Sequence, residues 1–440
     1  MEPQLNPSTI PSRLSTATLL EKDRELLSPA FAHSSDLVVD RAEGAWLHTL
    51  DGQSVLDFTC GIGVTNLGHR HPAVVRAVHE QVDRLWHVSG TAHHPQLTAA
   101  AEALVGIAPA GLTQVFFNNS GAEAVEAALK LARRATGRSE IIAFLGGFHG
   151  RTYGAVSLTA SKSKYRTQMG PFLPGVHHVR YPYCFRMCSH GPDEPCPIAA
   201  GEDLDLLFRT LVPADSVAAI VVEPIQGEGG YVVPPDGFLP RLREICDDHG
   251  ILLVADEVQT GFGRSGRMFA VEHSGVVPDI MCVAKALGNG LPIGGIVAKN
   301  SVMSRWHPGE HGTTYGGNAV ACAAAVAVID TLVRERLPER AATLGERALE
   351  RARGWQARHP RLGDVRGRGL MIGLELMEGG RPAPDITKRV LHAALERGLL
   401  LLTCGLDDNV IRLIPPLTIP EEELDKGMEI LEASLAEAGA

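Results

Sequence analysis

A chain of 440 residues, 45% hydrophobic and 21% charged, has the mix of a soluble globular protein with a sizeable core. Its formal net charge of −10 and the lack of a basic run argue against a nucleic-acid binder. The start, Met1-Glu-Pro-Gln-Leu-Asn-Pro7, has neither the basic head nor the apolar centre of a secretory signal. The longest apolar stretch, Ala319–Ile329, falls short of the roughly 20 residues of a membrane span. A cytoplasmic enzyme that meets neither nucleic acid nor membrane is the expected class.

Taken in chain order, Val115–Phe117 reads as a strand feeding a helix from Ala122 to Ala135. Strands follow at Glu140–Phe144 and Val217–Glu223, then a helix from about Phe238 to His249 that Gly250 stops. Ile251–Ala255 is a near-continuous apolar run, as a strand of a parallel sheet requires, and further strands are expected near Ile280 and Ile296. Asn318 opens a helix that is apolar almost all round and therefore buried. After Pro338 the texture changes to a charged helix, a strand over Gly369–Leu376, a helix over Ile386–Arg397, two strands and a last helix. Thr418 and Glu421 form a capping-box pattern for that last helix. The alternation predicts an α/β protein: a large domain over 66–330 on a mostly parallel sheet, and a smaller α+β domain from 1–65 plus 331–440.

Eight cysteines in so long a chain do not form a disulfide scaffold. Cys184, Cys188 and Cys196, with His190 between them, could supply zinc ligands, but their irregular spacing favours surface thiols or a packed loop, and no metal is expected.

Several reactive residues fall where strands end, which is where open α/β sheets bind ligands. Lys285 follows an apolar strand and precedes a glycine-rich loop; burial there disfavours the ammonium and frees a nucleophilic amine for an aldehyde. A lysine snorkelling to water is the alternative. Asp256 ends the Ile251–Ala255 strand and could hold a pyridinium nitrogen protonated, or simply cap a turn or hold a metal. Ser120, Gly121 and Ala122 open a helix whose N-terminus suits a phosphate, although Ser120 with Glu123 also makes a plain capping box. Phe148, in Gly146-Gly-Phe-His149-Gly-Arg151, could stack on a planar ring, or the loop could be an ordinary flexible one. Gly367-Arg-Gly369-Leu-Met-Ile-Gly373 misses the dinucleotide spacing by one residue, and neither a P-loop lysine motif nor a Gly-x-Ser-x-Gly elbow occurs.

With Asn119-Ser-Gly-Ala-Glu-Ala124, Gly147-Phe-His-Gly-Arg-Thr152, Glu223-Pro-Ile-Gln-Gly-Glu-Gly229, Asp256-Glu-Val-Gln-Thr-Gly261, Ala284-Lys-Ala-Leu-Gly288 and Thr313-Thr-Tyr-Gly-Gly-Asn318 in this order, the chain resembles the class III pyridoxal-phosphate aminotransferases from about residue 35 onward. The resemblance implies fold type I, with a mostly parallel seven-stranded sheet covered by helices, and pyridoxal 5'-phosphate as cofactor. It implies that Lys285 carries the internal aldimine and shuttles the proton, and that Asp256 pairs with the pyridine nitrogen. Gln259 is then expected near the phenolic oxygen, Val258 under the ring opposite Phe148, and His149 and Glu223 in the same cofactor site. The phosphate is expected on Ser120, Gly121 and Ala122, with Thr314 reaching the phosphate of a neighbouring subunit, so a homodimer is implied.

Arg412 sits inside the apolar run Asn409-Val-Ile-Arg-Leu-Ile; a buried guanidinium needs an anion, whereas one on a strand edge would face water. The resemblance implies that Arg412 grips the α-carboxylate of a 2-oxo acid and that Glu228 neutralises it when an ω-amino substrate is bound. Arg151 is then a grip for the distal carboxylate, with Glu223 orienting it. The implied reaction moves the amino group of a 4-aminobutyrate-like ω-amine to 2-oxoglutarate by a ping-pong sequence. Acetylornithine and ornithine aminotransferases share these motifs, and amino-acid racemases or epimerases share the fold and lysine.

Overall fold

The computed structural model describes residues 15–187 and 194–440. Cys188 and His190 of the cysteine-containing loop lie outside the described residues; Cys184 is half-buried and Cys196 buried. Among the described residues no helix is long and apolar enough to cross a membrane.

The seven-stranded sheet is present, in the spatial order Leu112–Asn118, Gly294–Lys299, Ile280–Val283, Leu252–Asp256, Val217–Val222, Glu140–Phe144, Val176–Val179. Only Gly294–Lys299 runs against its two neighbours; the pairings from Ile280–Val283 through Val176–Val179 are all parallel. Parallel strands buried on both faces need apolar residues at every position, and Val217–Val222 is buried throughout. Alternate residues serve opposite faces. Ile142, Phe144, Ile220 and Leu253 pack with the helix Phe238–His249, while Ile141, Ala143, Ala219, Val221 and Val254 pack with the helix Gly121–Thr136. The Phe238 helix ends, as expected, on Gly250, whose φ of 62° only a glycine adopts without cost.

The N-terminal strands Val39–Glu43, Trp46–Thr49 and Ser54–Asp57 form a second sheet with Leu399–Leu400, so the start of the chain pairs with its C-terminal part. A third sheet joins Leu362–Arg368, Met371–Glu378, Val410–Leu413 and Leu402–Cys404. Between the last two helices there are thus three short strands where two are expected. The capping box of the last helix does not form. The helix Glu421–Glu437 starts after Pro420, and the Thr418 hydroxyl instead donates to the Leu67 carbonyl at 3.0 Å. The main-chain carbonyl of the buried Leu67 outcompetes a local cap at a solvent-facing helix start.

Candidate active site

Because the strands at Asn118, Phe144, Val222, Asp256 and Val283 end on one side of the sheet, the residues that follow them converge. They enclose a cavity of about 380 Å³. Lys285, Asp256, Phe148, His149 and Glu223 line its floor and sides, Ser120, Gly121 and Ala122 line one end, and Val258, Gln259 and Glu228 complete it. Eleven positions expected from the sequence therefore meet in one place.

Lys285 opens a single turn at the end of the Ile280–Val283 strand, with a left-handed φ of 46° that a side chain rarely adopts. Strain of this kind collects where a side chain must be aimed. Burial, reinforced by the charge of Arg412, pushes its pKa down to about 8, so a neutral amine is accessible near physiological pH.

Asp256 is buried between two donors. Its Oδ2 meets His149 Nδ1 at 2.7 Å, and its Oδ1 accepts from the Val258 N–H at 3.1 Å. Burial alone would lower the pKa of His149, but the hydrogen bond to Asp256 and its charge outweigh that and raise it. His149 therefore clamps the carboxylate, a role the motif alone does not reveal. Glu223 lies alongside, its carboxyl pushed up to about 7 by burial, with the Asp256 charge adding to the effect. The expectation that Glu223 orients Arg151 is not met. Its two oxygens are taken at 3.0 Å each by the N–H groups of Phe148 and Gly227, which shape the ring pocket.

At the other end the helix Gly121–Thr136 points its N-terminus at the cavity. The Ser120 cap forms, but the reciprocal half of the box is shifted by one residue: Ser120 Oγ accepts from the Glu123 N–H at 3.2 Å, and the Glu123 carboxylate takes the N–H of Asn119 at 2.7 Å rather than that of Ser120. That leaves the N–H groups of Gly121 and Ala122 without acceptors among the described residues. So the cap and an anion site coexist: Ser120 and Glu123 satisfy one set of donors and leave the other presented. The fit to pyridoxal phosphate rests on these groups and on Gln259, which lines the cavity and whose buried Oε1 has no hydrogen-bond partner among the described residues.

Arg412 is not on an edge. It lies between the strands Met371–Glu378 and Leu402–Cys404, is 6% exposed, and sets its Nη2 3.4 Å from Glu228 Oε2. Among the described residues its Nε and Nη1 have no hydrogen-bond partner. Glu228 is also held on its other oxygen by Lys162 Nζ at 3.2 Å and Tyr165 OH at 3.1 Å. Neither Lys162 nor Tyr165 is singled out by the sequence, although a lysine and tyrosine so close after Arg151 were the available signal. Arg151 is exposed, outside the cavity wall, with its guanidinium 4.8 Å from the centre of the Tyr165 ring. Thr314 too lies outside, exposed in a loop that borders a second cavity of about 590 Å³ shared with His87–Ser89.

The sequence profile of the aminotransferase class-III family matches residues 29–435. The chain is 41% identical to the 5-aminovalerate aminotransferase DavT of Pseudomonas aeruginosa, covering 94% of this chain and 97% of that one. It is 41% identical to the 4-aminobutyrate aminotransferase of Mycobacterium tuberculosis, covering 91% of each. Among solved structures it superposes on the PLP-bound amine transaminase of an uncultivated Pseudomonas species with a TM-score of 0.86, 35% identity and coverage of 94% of this chain and 99% of that one. The seven-stranded sheet with its helical layers is that of the fold type I PLP-dependent transaminases. The chain is a member of the pyridoxal-phosphate-dependent class-III aminotransferases.

Proposed function

We propose that this aminotransferase takes the amino group of an ω-amino acid of the 4-aminobutyrate or 5-aminovalerate type and passes it to 2-oxoglutarate in two alternating half-reactions. The observation that carries this reading is the Arg412–Glu228 contact: one guanidinium edge is masked by a carboxylate while, among the described residues, Nε and Nη1 find no hydrogen-bond partner in a buried site. A masked arginine tolerates a donor with no carboxylate beside its amine. An unmasked one forks onto the α-carboxylate of a 2-oxo acid. Arg151, outside the cavity and stacked over the Tyr165 ring, would have to turn inward to meet the carboxylate at the far end of either partner.

Pyridoxal phosphate, when bound, supplies the aldehyde that takes the amino group and the ring that stores the electrons. Lys285 would hold its aldehyde end, and the same Nζ, neutral above about pH 8, is a base suited to remove a carbon-bound proton and return it. Asp256, oriented by its hydrogen bond to His149, would pair with the ring nitrogen. Gln259 would meet the phenolic oxygen, Val258 and Phe148 would confine the ring, and Ser120, Gly121 and Ala122 would hold the phosphate. Thr314, exposed beside the exposed rings of Trp86 and Tyr315, suits a role toward a second subunit's phosphate across a homodimer interface.

The test is a panel of ω- and α-amino donors against 2-oxoglutarate and pyruvate. Glutamate formation from 4-aminobutyrate or 5-aminovalerate is expected. Loss of optical rotation from a single amino-acid enantiomer, with no glutamate formed, would replace transfer by racemisation.

A further inference from the structure

We propose that Asp408 is a positioning residue that draws Lys162 partly off Glu228 and thereby sets how readily Arg412 is released to an α-carboxylate. This rests on the assignment of Arg412 and Glu228 given above.

Asp408 sits in the turn between the strands Leu402–Cys404 and Val410–Leu413, on the chain segment that delivers Arg412. Its φ is 54°, a conformation natural to glycine, and yet the position carries a carboxylate. That carboxylate reaches inward to the Lys162 ammonium, with Thr403 Oγ1 3.5 Å from the same oxygen. Lys162 is 7% exposed and lies between two anions, Asp408 and Glu228 Oε1. Burial works against its charge, but the two carboxylates outweigh it, so Lys162 stays cationic.

The consequence is a chain of four charges: Asp408, Lys162, Glu228, Arg412. Asp408 draws Lys162 away from Glu228, which leaves Glu228 the freer to mask Arg412. Without the Asp408 charge, Lys162 turns wholly to Glu228, Arg412 is unmasked, and the site gains a positive charge. Asp407, the adjacent residue, offers an internal control. Its carboxylate faces Arg186 at 3.6 Å, so the same loss of charge occurs one residue away without freeing Lys162.

The experiment measures binding of glutarate, an unreactive dicarboxylate, to the holoenzyme by calorimetry, alongside the apparent affinity for a primary ω-amine that carries no carboxylate. Asp408→Asn and Asp408→Gly, both at home at positive φ, should each tighten glutarate about five-fold, the worth of one partly exposed ion pair. Both should weaken the carboxylate-free amine, whose apolar chain then meets a bare guanidinium. Lys162→Met should shift both affinities the opposite way, and Asp407→Asn should move glutarate by less than half as much as Asp408→Asn. Glutarate affinity that is unchanged or weaker in both Asp408 variants, or an equal effect of Asp407→Asn, overturns the proposal. If the parent enzyme forms no glutamate from any ω-amine, the functional reading falls and takes this one with it; a transaminating parent with unresponsive Asp408 variants sinks this proposal alone.

Discussion

Gly121 packs closely on Val258 in the site, and this contact makes a quantitative claim about cofactor binding. A Cβ placed on Gly121 would stand 2.7 Å from Val258 Cγ1 and 3.0 Å from Cγ2. Carbon atoms settle at about 3.5–4.0 Å, so Gly121→Ala forces a separation of roughly 0.8 Å or more. Either Val258 is driven into the cavity it lines, or the start of the Gly121–Thr136 helix backs away with its two unclaimed N–H groups. Overpacking of this kind costs about 1–3 kcal/mol, which corresponds to about 5- to 150-fold in the dissociation constant of pyridoxal phosphate. Helix propensity runs the other way, since alanine is favoured over glycine by about 1 kcal/mol within a helix, so the loss cannot come from a weaker helix. The assay is titration of the apoprotein with the cofactor, followed by absorbance, for Gly121→Ala and for Gly121→Ala with Val258→Ala. The second change removes the two methyl groups in conflict and leaves a 3.5 Å contact to Cβ, so the double variant should bind more tightly than the single one. Parental affinity in the single variant, or no recovery in the double, refutes this packing argument.

Lys285→Ala should lower turnover by at least about 10²–10⁴-fold, the worth of a positioned base alone, and borohydride treatment should then add no cofactor mass to the chain. In the apoprotein, burial makes the charged form of Lys285 costly and so places its deprotonation near pH 8. Cofactor uptake should accordingly rise with pH about a midpoint near 8; a midpoint near the ordinary lysine value of 10.5 refutes the burial argument. Because this lysine's pKa lies below its unfolded value, its contribution to stability is adverse below pH 8 and disappears as pH rises past 10.5. Arg264 is fully buried and donates to the carbonyls of Leu370 at 2.9 Å and Pro415 at 2.6 Å and to Asn66 Oδ1 at 2.7 Å. Arg264→Met strands three acceptors at about 1–3 kcal/mol each, so denaturant unfolding should show a loss of at least about 3 kcal/mol.

What could be read from the sequence follows the range of the interaction concerned. The Leu252–Asp256 strand, the glycine stop at Gly250 and the Ser120 cap each depend on residues within a few positions, and all three are found near their expected places. The cavity residues were legible for a related reason: each follows a strand, and a parallel sheet brings strand ends together whatever the intervening chain does. Failures occur where a distant group competes for a side chain. Thr418 has a local cap available and serves Leu67 instead, 351 residues away. Glu223 has an arginine within reach of its motif but is consumed by backbone N–H groups of two loops. The pairing of Lys162 with Asp408 spans 246 residues and joins a loop after one sheet to a turn of another. Neither residue stands in a periodic pattern, and a charged residue in a loop is ordinarily solvated, so local reasoning gives it no weight. Only the burial of Lys162 against Glu228 draws that loop charge into the buried charge cluster around Arg412, and burial is a property of the assembled sheets rather than of any segment.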